Sequence, residues 1–138
     1  MELNYNVQKG EFHRAGEASS NLKKVLKQLG ISSEIIRKIA IAMYEAEMNM
    51  VIHADGGFIN VQILPEKIHI ILKDVGPGIP DVEQAMKEGF STATEEVRNL
   101  GFGAGMGLPN MKKNSDFIRV TSEVGIGTTV ELEVNLNL

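Results

Sequence analysis

Not one of the 138 residues is a cysteine, which rules out a disulfide framework, a thiolate zinc site and a cysteine nucleophile together. Such a chain suits a reducing compartment, and a cytoplasmic location is expected. Long apolar runs are missing too, the longest falling far short of the roughly 20 residues that a bilayer span needs. The opening stretch Met1-Glu2-Leu3-Asn4-Tyr5 has no basic segment leading into an apolar one, so neither a targeting signal nor a membrane partner is read. Basic clusters stop at pairs such as Lys23-Lys24 and Lys112-Lys113, and 14 basic against 18 acidic side chains leave a formal charge of -4. That balance excludes a general nucleic-acid binder, which needs a basic face for the phosphates. No repeat, low-complexity tract or linker interrupts the chain, so residues 1–138 read as one domain. At that length folding buries about 68% of the unfolded chain's surface, enough for one core without a staple.

The apolar pattern begins with strict alternation over residues 2–8, Leu3, Tyr5 and Val7 against Asn4, Asn6 and Gln8, the period of a strand with one wet face. Over residues 14–29 the period becomes helical, with Leu22, Val25, Leu26 and Leu29 on one side and Gly30 as a stop. Ser32-Ser33-Glu34 marks the start of a second helix over residues 33–53, broken by Asp55-Gly56-Gly57. Ile59, Val61 and Ile63, then Ile68, Ile70 and Leu72, predict a hairpin turning at Pro65-Glu66-Lys67. A short helical piece is expected over 82–87 and another helix over 105–113. Ile118 and Val120, a turn at 124–127, and Val130, Leu132, Val134 and Leu136 complete the chain as two further strands.

On the second helix Glu45, Asn49 and His53 recur every four residues, a polar ridge that drifts by only about 40° per step. Read alone, these are a solvated face or satisfied core polars, and Tyr44 and Glu47 fit a solvated face as well. Read chemically, the amide oxygen of Asn49 is a hard ligand for Mg²⁺ and the carboxylate of Glu45 can accept a proton from a nucleophile. Spacing does not choose between them. The neighbouring methionines read as flexible core filler.

Half of the chain's 14 glycines (Gly76, Gly78, Gly89, Gly101, Gly103, Gly105 and Gly107) crowd into about a quarter of its length, the mark of a mobile lid or a ligand loop. Asp74-Val75-Gly76-Pro77-Gly78-Ile79 follows directly on a strand, so it offers an acceptor-only carboxylate and then a sharp turn able to approach a flat ligand. An ordinary Asp-Gly-Pro turn has the same appearance. Gly101 to Leu108 leads into a helix, where exposed amides could converge on phosphate oxygens. It is neither a P-loop, since no Gly-Lys-Ser/Thr follows, nor a Rossmann fingerprint.

In order along the chain, Glu-x-x-x-Asn-x-x-x-His, Asp-x-Gly-x-Gly-Ile, a glycine-rich lid and a late Gly127-Thr128 together resemble the superfamily of gyrase, the Hsp90 chaperone, histidine kinases and the mismatch-repair ATPase. Within it, residues 44–53 and Gly105-Met106-Gly107 look like the anti-sigma-factor serine kinases, while residues 75–92 and Gly107-Leu108-Pro109 look closer to the switch kinases of stress signalling. The resemblance spans residues 2–136. It implies an α/β sandwich of the histidine-kinase-like ATPase (Bergerat) fold, with helices covering one face of a mixed, largely antiparallel sheet. By the same likeness ATP and Mg²⁺ are the cofactors: Asn49 holds the metal, Asp74 reads the adenine amino group, Gly76, Gly78 and Ile79 make room for the base, and Gly103, Ala104, Gly105, Met106, Gly107 and Leu108 wrap the phosphates. Thr128 supports the adenine site and Glu45 is the general base on a protein serine. Ala54 stands where many relatives carry glycine, and residues 93–100 make a longer lid than expected of a switch kinase.

The expected function is a serine/threonine kinase acting on an anti-anti-sigma-type partner, with a sigma factor as a further partner and a homodimer as the expected assembly. Two rivals stand beside it. One is a non-catalytic module whose nucleotide only sets its affinity for a partner. The other is a detached ATPase domain of a histidine kinase, against which counts the want of a preceding helix with a phosphoacceptor, since His13, His53 and His69 do not supply one.

Overall fold

The computed structural model describes residues 1–8, 10, 14–79, 81, 82, 86 and 107–136. Five strands, β1 (Glu2–Val7), β2 (Gly57–Ile63), β3 (Lys67–Asp74), β4 (Phe117–Glu123) and β5 (Gly127–Asn135), form one sheet. Its order is β1-β2-β3-β5-β4. Among the described residues three helices accompany it: α1 (Glu17–Gln28), α2 (Ser33–His53) and α3 (Gly107–Lys113). The predicted strands and hairpin are all present at close to their predicted limits. Much of the piece expected over 82–87, and residues 105 and 106 of the last helix, lie outside the described residues.

The sheet departs from expectation in one respect. Every pairing among the described strands is antiparallel, so the sheet is not mixed. Two helices in succession join β1 to β2, so the chain crosses the sheet's length twice and re-enters in the opposite sense. β3 and β4 do run the same way, but β5 lies between them and pairs with both.

Local chemistry sets the helix limits. α1 ends in a Schellman motif, with Gly30 at φ 78°, its N–H donating to Lys27 O and the Ile31 N–H to Leu26 O. At the start of α2 the Ser32 hydroxyl accepts from the Ile35 N–H at 3.4 Å, a side-chain N-cap that satisfies one orphan donor. α1 starts at Glu17 rather than near Arg14 because Gly16 sits in the left-handed region at φ 94°.

One face of the sheet is covered. Ile59, Val61, Ile68, Ile70, Leu72, Val130, Leu132 and Val134 pack there against Leu22 and Leu26 of α1, Ile39 and Met43 of α2 and Met111 of α3. The other face is a polar ladder. Asn60 donates to Asn4 at 2.9 Å, Lys67 pairs with Glu133 at 2.6 Å, and Glu131 lies between His69 at 2.7 Å and Arg119 at 2.5 Å. No helix among the described residues is long and apolar enough to cross a membrane.

Candidate functional site

The core-facing stripes of three neighbouring strands turn polar at the same end of the sheet. On β3 the stripe Ile68, Ile70, Leu72 runs into Asp74; on β5 Val134, Leu132, Val130 runs into Thr128; on β4 Ile118, Val120 runs into Ser122. Register makes this a row, since Ser122 pairs with Thr128 and Asp74 lies one step beyond the Lys73–Thr129 pair. The Thr128 N–H donates to Asp74 Oδ1 at 2.8 Å, and the hydroxyls of Ser122 and Thr128 are 2.8 Å apart. Burial raises the Asp74 carboxyl above its ordinary value, and the Thr128 hydrogen bond draws it part of the way back.

The turn after Asp74 is stitched to the β4–β5 turn. Gly76 N–H donates to Ile126 O at 3.0 Å and Gly125 N–H to Pro77 O at 2.8 Å, while Ile79 N–H donates to Ser122 Oγ at 2.7 Å. At two of the glycines here a side chain has no space. A Cβ on Gly78, whose φ is 76°, would lie 2.5 Å from Glu123 O, and one on Gly127 would lie 2.3 Å from the main-chain oxygen of Asp74. Ile79 is half-buried against the core. Ala54 has a physical counterpart in Gly76, on which a Cβ would come within 3.1 Å of the Ala54 methyl. The alanine is accommodated by the glycine facing it.

A second group lies on α2. Glu45 and Asn49 are half-buried, one turn apart, on the flank that meets α3. Buried Leu108 and Met111 seat α3 in the core. That seating sets Asn110 Nδ2 3.2 Å from Glu45 Oε1, to which it donates, and brings Gly107 so close to Asn49 that a Cβ there would lie 3.1 Å from Asn49 Oδ1. No described residue hydrogen-bonds the Asn49 carboxamide. Burial raises the Glu45 carboxyl above its ordinary value, opposed in part by the Asn110 hydrogen bond. From Glu45 to its end at His53 α2 rises about 12 Å, and the next residue, Ala54, faces Gly76 in the turn after Asp74.

Of the residues singled out from sequence, the described structure brings Glu45, Asn49, Gly107 and Leu108 together at α2–α3, and Asp74, Gly76, Gly78, Ile79 and Thr128 together at the sheet end. Gly103, Ala104, Gly105 and Met106 lie outside the described residues, as does the side chain of His53.

Three residues were missed. Asn110 and Ser122 carry no signal alone, although extending the β4 alternation two residues past Val120 would have found Ser122. Glu47 was placed on a solvated face and is instead 3% exposed. Its carboxylate accepts the N–H groups of Gly16 at 3.0 Å, Ala18 at 3.2 Å and Ser19 at 3.1 Å. Glu47 caps α1 from α2, because Gly16 at the N-cap has no side chain to do so. Tyr44 is exposed as expected.

Comparison with known proteins identifies the family. The family model for histidine kinase-, DNA gyrase B- and HSP90-like ATPases matches residues 34–138. The serine/threonine-protein kinase RsbT of Bacillus subtilis is 32% identical over 113 residues, 79% of each chain. An anti-sigma F factor of Caldanaerobacter subterraneus is 41% identical over 110 residues, covering 76% of this chain and 73% of that one. Among solved structures, the RsbU and RsbW domains of a Mycobacterium tuberculosis protein superpose with a TM-score of 0.67 at 16% identity, covering 99% of this chain and 32% of that one. The mycobacterial sensor histidine kinase MprB gives 0.56 at 17% identity, over 98% and 97%. These two likenesses are of fold. On its family match over residues 34–138 and its sequence relatives, the chain belongs to the histidine kinase-, DNA gyrase B- and HSP90-like ATPases, in the group of anti-sigma factors and switch-protein serine/threonine kinases.

Proposed function

We propose that the protein is an Mg-ATP-dependent serine/threonine kinase that phosphorylates a small anti-anti-sigma-type partner, and that Glu45 is its general base. The observation that carries this is the Glu45–Asn49 pair. A half-buried carboxylate, raised in pKa by burial and oriented by Asn110, sits one turn from a carboxamide that no described residue engages. A base is most effective when its pKa approaches the working pH, and burial moves Glu45 in that direction.

The chain's residues fit the nucleotide. The row at the sheet end is rich in acceptors, as the amino group of adenine requires. Among the described residues no group of three or more His, Asp or Glu could hold a metal. Asn49 Oδ1 would hold a Mg²⁺ ion together with waters and phosphate oxygens, the hard oxygen donors this ion takes. When bound, it would neutralise the charge that develops on the transferring phosphoryl group. Glu45 then has two tasks: to accept the proton of an approaching serine hydroxyl and to stay ionised until it does. By donating to Oε1, Asn110 serves the second and holds the carboxylate in place for the first.

The identity to anti-sigma F factors supports a second reading, in which binding of a sigma factor is the output and nucleotide sets the affinity. One pair of measurements separates them. Glu45→Gln should bind Mg-ATP nearly as the wild type does and transfer phosphate to the partner about 10²–10⁴-fold more slowly. Transfer at the unmodified rate would remove Glu45 as the base and favour the binding module.

A further inference from the structure

Ser122 belongs to no motif, yet its hydroxyl is the node of the polar row. It has one hydrogen to donate and two lone pairs, and three neighbours. The Ile79 N–H, 2.7 Å away, can only donate to it. Gly127 O, at 3.2 Å, can only accept from it. Thr128 Oγ1, at 2.8 Å, can do either. Only one assignment uses all three contacts: Ser122 donates to Gly127 O, accepts from Ile79 N–H on one lone pair and accepts the Thr128 hydroxyl hydrogen on the other. Thr128 has then spent its only hydrogen on Ser122. Towards Asp74 it presents lone pairs alone, beside a carboxylate whose Oδ1 already holds the Thr128 N–H.

We propose that Ser122 is a specificity-determining residue, which fixes the direction of the Thr128 hydroxyl so that the row offers a bound base acceptors only and rejects a purine with an oxygen at position 6. This rests on the reading of the row as the site of an adenine nucleotide. A 6-amino group brings donors to the row; a 6-oxo group would set lone pairs against lone pairs, with no hydrogen on Thr128 free to turn and meet it. Without Ser122 the Thr128 hydroxyl is released, can rotate and can donate. Ser122 acts through Thr128 and touches no ligand, so it is a positioning residue.

ATP and ITP differ at that position and at N1, where ITP carries a hydrogen in every comparison alike, and titration calorimetry with both, in the presence of Mg²⁺, tests the idea through the change in their ratio on substitution. Wild-type protein should prefer ATP. In Ser122→Ala the ratio of the two affinities should fall about tenfold, the scale of one hydrogen bond gained or lost. Ser122→Thr, which keeps the hydroxyl, should hold the wild-type ratio. In a Thr128→Val background, Ser122→Ala should leave the ratio unchanged, because the group it directs is gone. A merely structural role, through the Ile79 N–H left without its acceptor, would weaken ATP and ITP alike and leave the ratio untouched. An unchanged ratio in Ser122→Ala, whatever its absolute affinities, therefore overturns the proposal. Equal wild-type binding of ATP and ITP overturns it too while leaving nucleotide binding intact, whereas a wild type that binds neither overturns both readings.

Discussion

Truncating Glu47 to alanine should destabilise the fold without touching the proposed chemistry, and the size of the loss follows from the three hydrogen bonds the carboxylate accepts. Two of the donors, Ala18 N–H and Ser19 N–H, are in buried bonds and the third, Gly16 N–H, is part-buried. Each buried donor left without a partner costs about 1–3 kcal/mol, so Ala18 and Ser19 together contribute about 2–6 kcal/mol. Water can reach Gly16 and make good its share. Loss of the negative charge from the N-terminus of α1 adds about 0.5–1 kcal/mol, while release of a buried carboxylate from its desolvation works the other way. The net expectation is about 3–4 kcal/mol. A domain of 138 residues unfolds with an entropy near 0.3 kcal/mol per kelvin, so the midpoint should fall by about 10–13 °C. Against a typical total of about 5–15 kcal/mol the variant still folds. Glu47→Gln, which keeps one acceptor oxygen, should lose about half as much. Scanning calorimetry gives the midpoints, and urea titration should show a lower transition concentration at an unchanged slope. If Glu47→Ala melts within about 3 °C of the wild type, the carboxylate is not what holds the first turn of α1 on α2.

The candidate site yields three more predictions. Asp74→Asn should weaken ATP binding about tenfold or more, since the new amide can present a donor to the adenine amino group; equal affinities by calorimetry would refute that role. Asn49→Ala should lose the Mg²⁺ dependence of nucleotide binding and phosphate transfer together, and retention of either in a titration with and without Mg²⁺ would separate Asn49 from the metal. For Glu45 the sign of the pH effect is fixed by burial. Its folded pKa lies above the unfolded one, so the fold disfavours the ionised form. The resulting destabilisation is absent below the ordinary carboxylate pKa and complete once the pH exceeds the raised value. Glu45→Gln should therefore melt higher than wild type at neutral pH and at the same temperature in acid, and transfer by the wild type should fall on its acid side above the usual carboxylate range. A Glu45→Gln midpoint equal to or below wild type at neutral pH would contradict the burial argument.

Much of this was legible in the sequence where a local rule and the tertiary structure agree. Ser32 and Gly30 punctuate α1 and α2 as their chemistry dictates, and period-two alternation located all five strands. The four-residue spacing of Glu45 and Asn49 put both on one ridge of α2. The failures have one physical source: α2 is gripped on two sides. Glu47, two residues from Glu45, points about 200° away, and a solvated face was assumed because a second helix packed there leaves no trace in α2 itself. The order of the sheet was hidden in the same way. Nothing in the apolar pattern of β5 says that it slots between β3 and β4, and with that insertion the mixed sheet becomes antiparallel throughout. Asn110 owes its contact with Glu45 to the seating of α3, a consequence of packing that no spacing rule encodes.

The place of β5 also bears on how the molecule comes into being. The strand pairs on both edges, with β3 far behind it in the chain and β4 just before it, so until it is made and docked the sheet is two separate pieces. The hairpin of β2 and β3 can form early at low entropic cost, but joining it to β4 and β5 means bringing together residues separated by more than 40 positions of chain, the slow kind of contact in folding. Asp74 is on one piece and Thr128 and Ser122 are on the other. During synthesis the polar row can therefore exist only after that late closure. A nascent chain is barred from holding a base there until its sheet is whole, which ties competence at this end of the molecule to completion of the fold.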